Sequence, residues 1–289
     1  MKSAGVIGLG IMGSAMAANL LRRGFSVQGF DVVNSKRNSL KKAGGIPASS
    51  ASNIKAPVVI TSLPSAVALH AVARQLEHKC IVVETSTLPI ADKARARDVL
   101  AKKGITLLDC PLSGTGSQAR SGDLVVYGSG SKAAFATAIP VLKGFSRAHY
   151  YVGDFGNGSK MKYVANLLVA IHNVSSGEAF ALGVKAGLDK KTIYKVIGDS
   201  AGSSRMFQVR GPMMVANDYS GVTMSNRLWQ KDLKIIGAYA RRLGVATPLF
   251  KASTRVYKAA MARGLAEQDT GAVCAVLEAM SGIRRRKRG

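Results

Sequence analysis

Over the first half of the chain, short apolar runs alternate with segments of helical periodicity; after Gly158 only the helical period remains. Val6-Ile7, Ser26–Phe30, Val58–Ile60, Ile81–Val83, Ile105–Leu108, Leu124–Tyr127 and Ala148–Val152 have the length and composition of strands. Most are apolar throughout, as strands covered on both faces are, and helical patterns separate them. This predicts one largely parallel sheet. Beyond it the period predicts helices over 159–186, through 190–196 after the capping residue Asp189, and over 225–243, 248–263 and 270–280, several of them stopped by glycine. Residues 200–222 read as irregular or as short helices. The expected organisation is therefore an α/β unit over 1–158, an all-α unit over 159–282 and a basic, disordered tail at 283–289. Within the long helix Met161, Val164, Leu168 and Ile171 recur as an apolar stripe. Lys162 and Asn166 stand four apart, as neighbours on another face.

The first strand runs into Gly8-Leu9-Gly10-Ile11-Met12-Gly13, which opens a helix; the second strand ends at Asp31. A GxGxxG stretch is weak evidence alone and specific in this strand–turn–helix–strand–acid context. Gly8 permits the turn, Gly10 lets the backbone approach a pyrophosphate, and Gly13 lets helix and strand pack closely. The helix N-terminus offers unpaired N–H groups to phosphate. The first unit is thus expected to be a Rossmann-type dinucleotide-binding domain. The Asp31 carboxylate can accept from ribose hydroxyls and repels a 2′-phosphate, which favours NAD. Lys36 and Arg37 just beyond it keep NADP open.

Ligands of such sheets bind at the carboxyl ends of the strands, which here means the 8–13 turn, Asp31 and the loops at 61–65, 85–87 and 109–116. In the last of these, Ser113 and the N–H groups of Gly114 and Thr115 suit a carboxylate, although an ordinary glycine-rich turn would read the same. A lone Lys-x-x-x-Asn is more often a solvated face than a site.

Five stretches taken together change that balance: GLGIMG at 8–13, Glu84-Thr85-Ser86-Thr87, DCPLSG at 109–114, GNGSKMKYVAN at 156–166 and Lys231-Asp232-Leu233. In this order, over Gly8 to about Leu277, the chain resembles the β-hydroxyacid dehydrogenases. The resemblance implies a general acid/base at Lys162, substrate orientation by Asn166, and a carboxylate loop at Ser113 and Gly114 extending to Thr115. It places Ser86 and Thr87 beside the nicotinamide ribose, adds Leu63 and Pro64 to the cofactor-binding residues, sets Lys231 over the cofactor, and brings Arg205 to the substrate border. The chain departs from the family pattern at Thr115, Ala165 and Glu84, where glycine, asparagine and aspartate are usual. Thr115 and Arg205 leave the substrate open. The implied reaction interconverts a small anionic 3-hydroxy or polyhydroxy acid and its semialdehyde or keto acid. A lysine base needs its pKa of about 10.4 lowered by desolvation or by cations such as Lys160, Lys231 and Arg205. Imine reductases share the architecture but usually lack the lysine; phosphogluconate dehydrogenases have a much longer helical half. The resemblance also implies a homodimer or homotetramer.

Composition adds one tension. Of 289 residues 47% are hydrophobic and 20% charged, as in a folded protein, yet the net charge is +25. A non-enzymatic module binding nucleic acid through its basic surface is the alternative this raises. Retention of Ser113, Lys162 and Asn166 opposes it, and nucleic acid is not the expected partner. The four histidines show no metal-ligand spacing, so no metal site is expected. Three dispersed cysteines suggest free thiols in a reducing, cytoplasmic setting. The first strand begins within a few residues of Met1, which leaves no room for a signal peptide, and no apolar run suggests a membrane span.

Overall fold

The computed structural model describes residues 2–283; the expected tail from 284 onward lies outside them. The chain divides into two compact units between Lys162 and Tyr163, one turn beyond the expected boundary.

In the N-terminal unit β1 (Ser3–Ile7), α1 (Ile11–Arg22), β2 (Ser26–Phe30), α2 (Asn34–Lys42) and β3 (Ile46–Pro47) are followed by β4 (Val58–Thr61), α3 (Ala66–Gln75), β5 (Ile81–Glu84), α4 (Ile90–Ala101) and β6 (Thr106–Asp109). These strands form one sheet in the order β3-β2-β1-β4-β5-β6, parallel at every pairing. Successive side chains point to opposite faces, and both faces are buried. Val6, Ile60, Val83 and Leu108 enter one core with Met16, Leu20 and Phe145. Their neighbours Ile7, Val59, Val82 and Leu107 enter another with Leu69, Leu76 and Leu100.

The rest of the unit departs from the single sheet expected. It contains β7 (Leu112–Ser113), α5 (Gly116–Ser121), β8 (Val125–Gly128), α6 (Lys132–Leu142) and β9 (Ala148–Tyr151). Here β7-β8-β9 make a separate sheet, with β7 antiparallel to β8. The cause is local. Cys110-Pro111 turns the chain straight from β6 into β7, so no helical crossover intervenes to keep the next strand parallel. A bridge between Asp109 and Ser129 joins the ends of the two sheets.

A 29-residue helix, α7 (Asn157–Lys185), leads into the helical unit. There follow α8 (Lys190–Gly198), α9 (Arg205–Ala216), α10 (Asn226–Arg242), α11 (Pro248–Ala262) and α12 (Val273–Met280). The 200–222 stretch thus holds a regular helix. Ser204 caps it by accepting from Phe207 N at 3.0 Å, and Pro212 sits inside it without ending it. Phe207 stacks between Phe180 and Tyr194 at 5.4 and 5.7 Å, and this packing outweighs the loop-like composition. On α10 the buried Trp229, Leu233, Ile236 and Ala240 keep helical spacing.

The apolar stripe on α7 faces outward. Val164 is 57% and Leu168 46% exposed, while Tyr163, Asn166, Ala170 and Asn173 are buried. By length and hydropathy α7 could cross a membrane, and it is the one such helix among the described residues. Its buried asparagines are what a core helix carries.

Candidate active site

Sequence forces the glycine turn into its shape. Gly8 has φ +89°, and a Cβ there would lie 2.2 Å from the Ser62 carbonyl oxygen; one on Gly13 would lie 1.8 Å from the Gly8 oxygen. Gly10 is exposed, with nothing within 4 Å of the Cβ position, and it begins α1 with no side-chain cap. The turn is therefore open where a phosphate would approach uncapped N–H groups. Leu9 is buried, Met12 half-buried and Ile11 exposed. Asp31 braces the turn: Oδ2 accepts from Leu9 N at 2.7 Å and Oδ1 from Val33 N at 2.8 Å. Arg37 donates to the Asp31 carbonyl and to Asn34.

Next along the rim, a buried charged cluster ties the loops together. β5 and β6 pair with Glu84 opposite Asp109, so two buried acids lie side by side. Lys93 of α4, itself fully buried, stands 2.8 Å from Asp109 Oδ1 and 3.8 Å from Glu84 Oε1. Such desolvated charges persist only when paired and hydrogen-bonded. Glu84 also accepts from Thr61 Oγ1 and from Ser86 N at 2.7 Å, and Ser86 Oγ accepts from Leu63 N at 2.8 Å. The cluster thus fixes the Leu63-Pro64 and Ser86-Thr87 loops.

Asp109 also holds the start of α7. Its Oδ2 accepts from Ser159 N at 2.7 Å and its Oδ1 from Ser159 Oγ at 2.8 Å. A carboxylate is favourable at a helix N-terminus. Gly158 N donates to Ser129 Oγ, and a Cβ on Gly158 would lie 2.3 Å from the Tyr127 oxygen and 2.5 Å from the Asp109 oxygen. Only glycine lets the helix start this close to β6 and β8. These contacts carry the N-terminal unit one turn into α7, as far as the half-buried Lys162.

Ser113 and Gly114 lie half-buried on the same rim, with Gly114 at φ +139°. Thr115, also half-buried, caps α5 in a capping box, and its N–H donates to Gln118 Oε1 at 3.0 Å.

Within the helical unit Asn166 is buried, and its Nδ2 donates to Asp232 Oδ2 at 2.9 Å. Lys231 stands 3.6 Å from Asp232 Oδ1. Arg205 is exposed at the start of α9. Sequence reasoning missed Lys93, Ser159 and the roles of Glu84 and Asp109. Strands ending in Glu84 and Asp109 were a usable signal, because neighbouring parallel strands that end in acids demand a buried cation. Nothing local marks Lys93 as that cation.

All three cysteines are free and buried. Burial pushes Cys80 up to about 11 and raises Cys110 as well, so neither offers a thiolate near neutral pH. Among the described residues no group of three or more metal-ligating side chains could hold an ion.

The turn, the acid after β2 and the strand-end rim are those of a dinucleotide-dependent oxidoreductase. Comparison with known proteins agrees. Residues 3–153 match the NAD-binding domain of 6-phosphogluconate dehydrogenase, and residues 156–277 match the family described as NAD-binding of NADP-dependent 3-hydroxyisobutyrate dehydrogenase. The chain is 32% identical over 282 residues to L-threonate dehydrogenase of Cupriavidus necator, covering 94% of this chain and 95% of that one. It is 31% identical to 2-(hydroxymethyl)glutarate dehydrogenase of Eubacterium barkeri, covering 96% of each. A solved 3-hydroxyisobutyrate dehydrogenase from Salmonella typhimurium superposes with a TM-score of 0.85 at 29% identity, covering 96% of this chain and 100% of that one. An imine reductase from Streptomyces aurantiacus, 22% identical with a TM-score of 0.64, shares the fold alone. The chain belongs to the β-hydroxyacid dehydrogenase family. It is an oxidoreductase acting on hydroxy acids, and its cofactor is NAD or NADP.

Proposed function

We propose that this enzyme interconverts a small 3-hydroxy or polyhydroxy carboxylic acid and its semialdehyde or keto acid, with Lys162 moving the proton and NAD preferred over NADP. The observation that carries this reading is the pinning of the α7 start to the end of β6 by Asp109. It sets Lys162 one turn above the rim that also carries the glycine turn, Ser113 and Ser86.

The dinucleotide, when bound, supplies the two-electron chemistry at the hydroxyl-bearing carbon. The protein binds, orients and moves the proton. Gly8 to Gly13 take the pyrophosphate, and Asp31 takes a ribose hydroxyl through lone pairs that Leu9 and Val33 leave. Leu63, Pro64, Ser86 and Thr87 border the nicotinamide end, and Lys231 closes on the cofactor. Ser113 and Gly114 hold the substrate carboxylate. In oxidation neutral Lys162 takes the hydroxyl proton at Nζ; in reduction its ammonium returns one to the oxygen. Asp232 fixes the Asn166 amide, whose Oδ1 is left to orient the substrate. Arg205 meets a second anionic or hydroxylated group. The relatives' named substrates, threonate and 2-(hydroxymethyl)glutarate, carry such groups. The exposed Val164 and Leu168 support a homodimer or homotetramer, and the free cysteines support a reducing, cytoplasmic setting.

The test follows reduced-nicotinamide absorbance with NAD and NADP against 3-hydroxyisobutyrate, glycerate, threonate and related acids. Turnover of at least one acid is expected, lost in Lys162→Ala while cofactor binding persists. Undiminished turnover in that variant would remove Lys162 from the chemistry.

A further inference from the structure

We propose that a basic pocket built wholly within the helical unit, between α10 and α11, binds a nucleoside polyphosphate. The cavity measures about 250 Å³. Lys234 and Arg241 of α10 and Lys251 and Lys258 of α11 line it, and no acidic residue does. Each pair is seven apart on its helix, so all four side chains belong to the two facing stripes.

Two features separate this pocket from a merely basic surface. The first concerns pairing. Among the described residues none of the four cations has an ion pair or a side-chain hydrogen bond. The buried acids of the same unit are committed elsewhere: Asp269 to Arg210, Glu278 to Lys190 and Asp232 to Asn166 and Lys231. Four unneutralised cations around one concavity repel one another, and low-dielectric walls focus their field on whatever enters.

The second feature is the shape and lining of the cavity. Thr247 precedes α11 without making a side-chain cap, and the first turn carries no acid, so the helix presents free N–H groups and positive potential. Leu233 and Phe250, 5% and 2% exposed, form an apolar floor. Gly237 lies beside that floor, its Cβ position 3.8 Å from the Phe250 ring and 3.5 Å from Arg241 Nη1, and it adds no side chain to the cavity. A single carboxylate or sulfate would leave most of the cations unmatched. A triphosphate carries the three to four negative charges the rim can meet, and an attached base supplies a flat apolar face for the floor.

Calorimetric titration of the full chain, held at saturating NAD so that the glycine turn is filled, provides the test. The probes are ATP and inorganic tripolyphosphate. ATP is expected to bind saturably, more tightly than tripolyphosphate, with affinity falling as salt rises. Lys234→Glu combined with Lys258→Glu, both exposed positions, should weaken ATP at least tenfold while dehydrogenase turnover and circular dichroism stay unchanged. Absence of saturable binding, equal affinity in the double variant, or tripolyphosphate binding as tightly as ATP would each overturn the assignment. Displacement of ATP by a 20-base-pair DNA duplex at lower concentration would overturn it too, in favour of a nucleic-acid surface.

Discussion

The N-terminal unit buries Lys93 against Asp109 and Glu84; the helical unit buries Arg210 against Asp269, with Nε 2.9 Å from Oδ1. Both clusters are desolvated and richly hydrogen-bonded, but they hold different things. Asp269 accepts from the N–H groups of Thr223, Met224 and Gly271 and from the Thr223 hydroxyl, all at 2.7 to 3.1 Å. It thereby staples an irregular segment, and no proposed site residue is among its partners. Asp109 and Glu84 hold the turn that carries Lys162 and the loops at Leu63 and Ser86. A buried ion pair contributes little net stability against a well-packed apolar substitute. What each pair restrains therefore says more about its use than its energy does.

The largest test of the contrast removes one partner from each. Asp269→Ala and Asp109→Ala should each destabilise by about 3–5 kcal/mol in urea titrations, because Arg210 loses its buried partner and Lys93 keeps only the more distant Glu84. Per folded molecule, Asp269→Ala should keep wild-type turnover, whereas Asp109→Ala should lose most of it. Equal losses would erase the distinction.

A gentler change sharpens it. Asp109→Asn keeps an acceptor for Ser159 N but removes the charge at the helix start. We expect kcat to fall about tenfold with little change in the KM for cofactor, since a small misplacement of the proton-transferring group costs rate rather than cofactor binding. A KM rise with kcat intact would mean that the cluster serves the cofactor loops instead.

Acid should act on the helical cluster through Asp269. Burial works against ionisation of Asp269, but Arg210 and the N–H groups of Gly271 and Thr223 outweigh it and hold the carboxyl below its ordinary value. A depressed carboxyl contributes fully above the unfolded value of about 3.9 and loses that contribution as pH falls below it. The melting temperature should therefore drop more steeply below pH 4 in the wild type than in Asp269→Asn. Parallel curves would assign the acid sensitivity elsewhere. The smallest effect belongs to Ser159→Ala, which removes one hydroxyl from Asp109 and should cost about 1 kcal/mol with kcat reduced less than in Asp109→Asn.

The glycine turn was legible because its causes are local: Gly8 and Gly13 clash with nearby backbone if they carry a side chain, and Asp31 closes the second strand. Helices with long apolar periods were legible for the same reason. α9 was not, because its formation rests on Phe207 meeting Phe180 and Tyr194, a contact that composition does not announce. The direction of the α7 stripe was hidden too, since periodicity finds a face without saying which face is inside. Lys93 was invisible because its partners lie sixteen and nine residues away in sequence, on two different strands. The capping box in which the Thr115 N–H donates to Gln118 was not legible either, because a glycine-rich turn and a helix start share the same small polar residues.

The seat of Ser159 also has a bearing on the order in which the protein is made. Asp109 emerges from the ribosome fifty residues before Ser159, which donates two hydrogen bonds to its carboxylate. Until Gly158 and Ser159 appear, the sheet can form its strands but must leave a desolvated carboxylate short of two hydrogen bonds. The N-terminal unit therefore completes its hydrogen bonding only when the opening turn of the next helix has been synthesised, and its compact body ends inside that helix rather than at the loop before it.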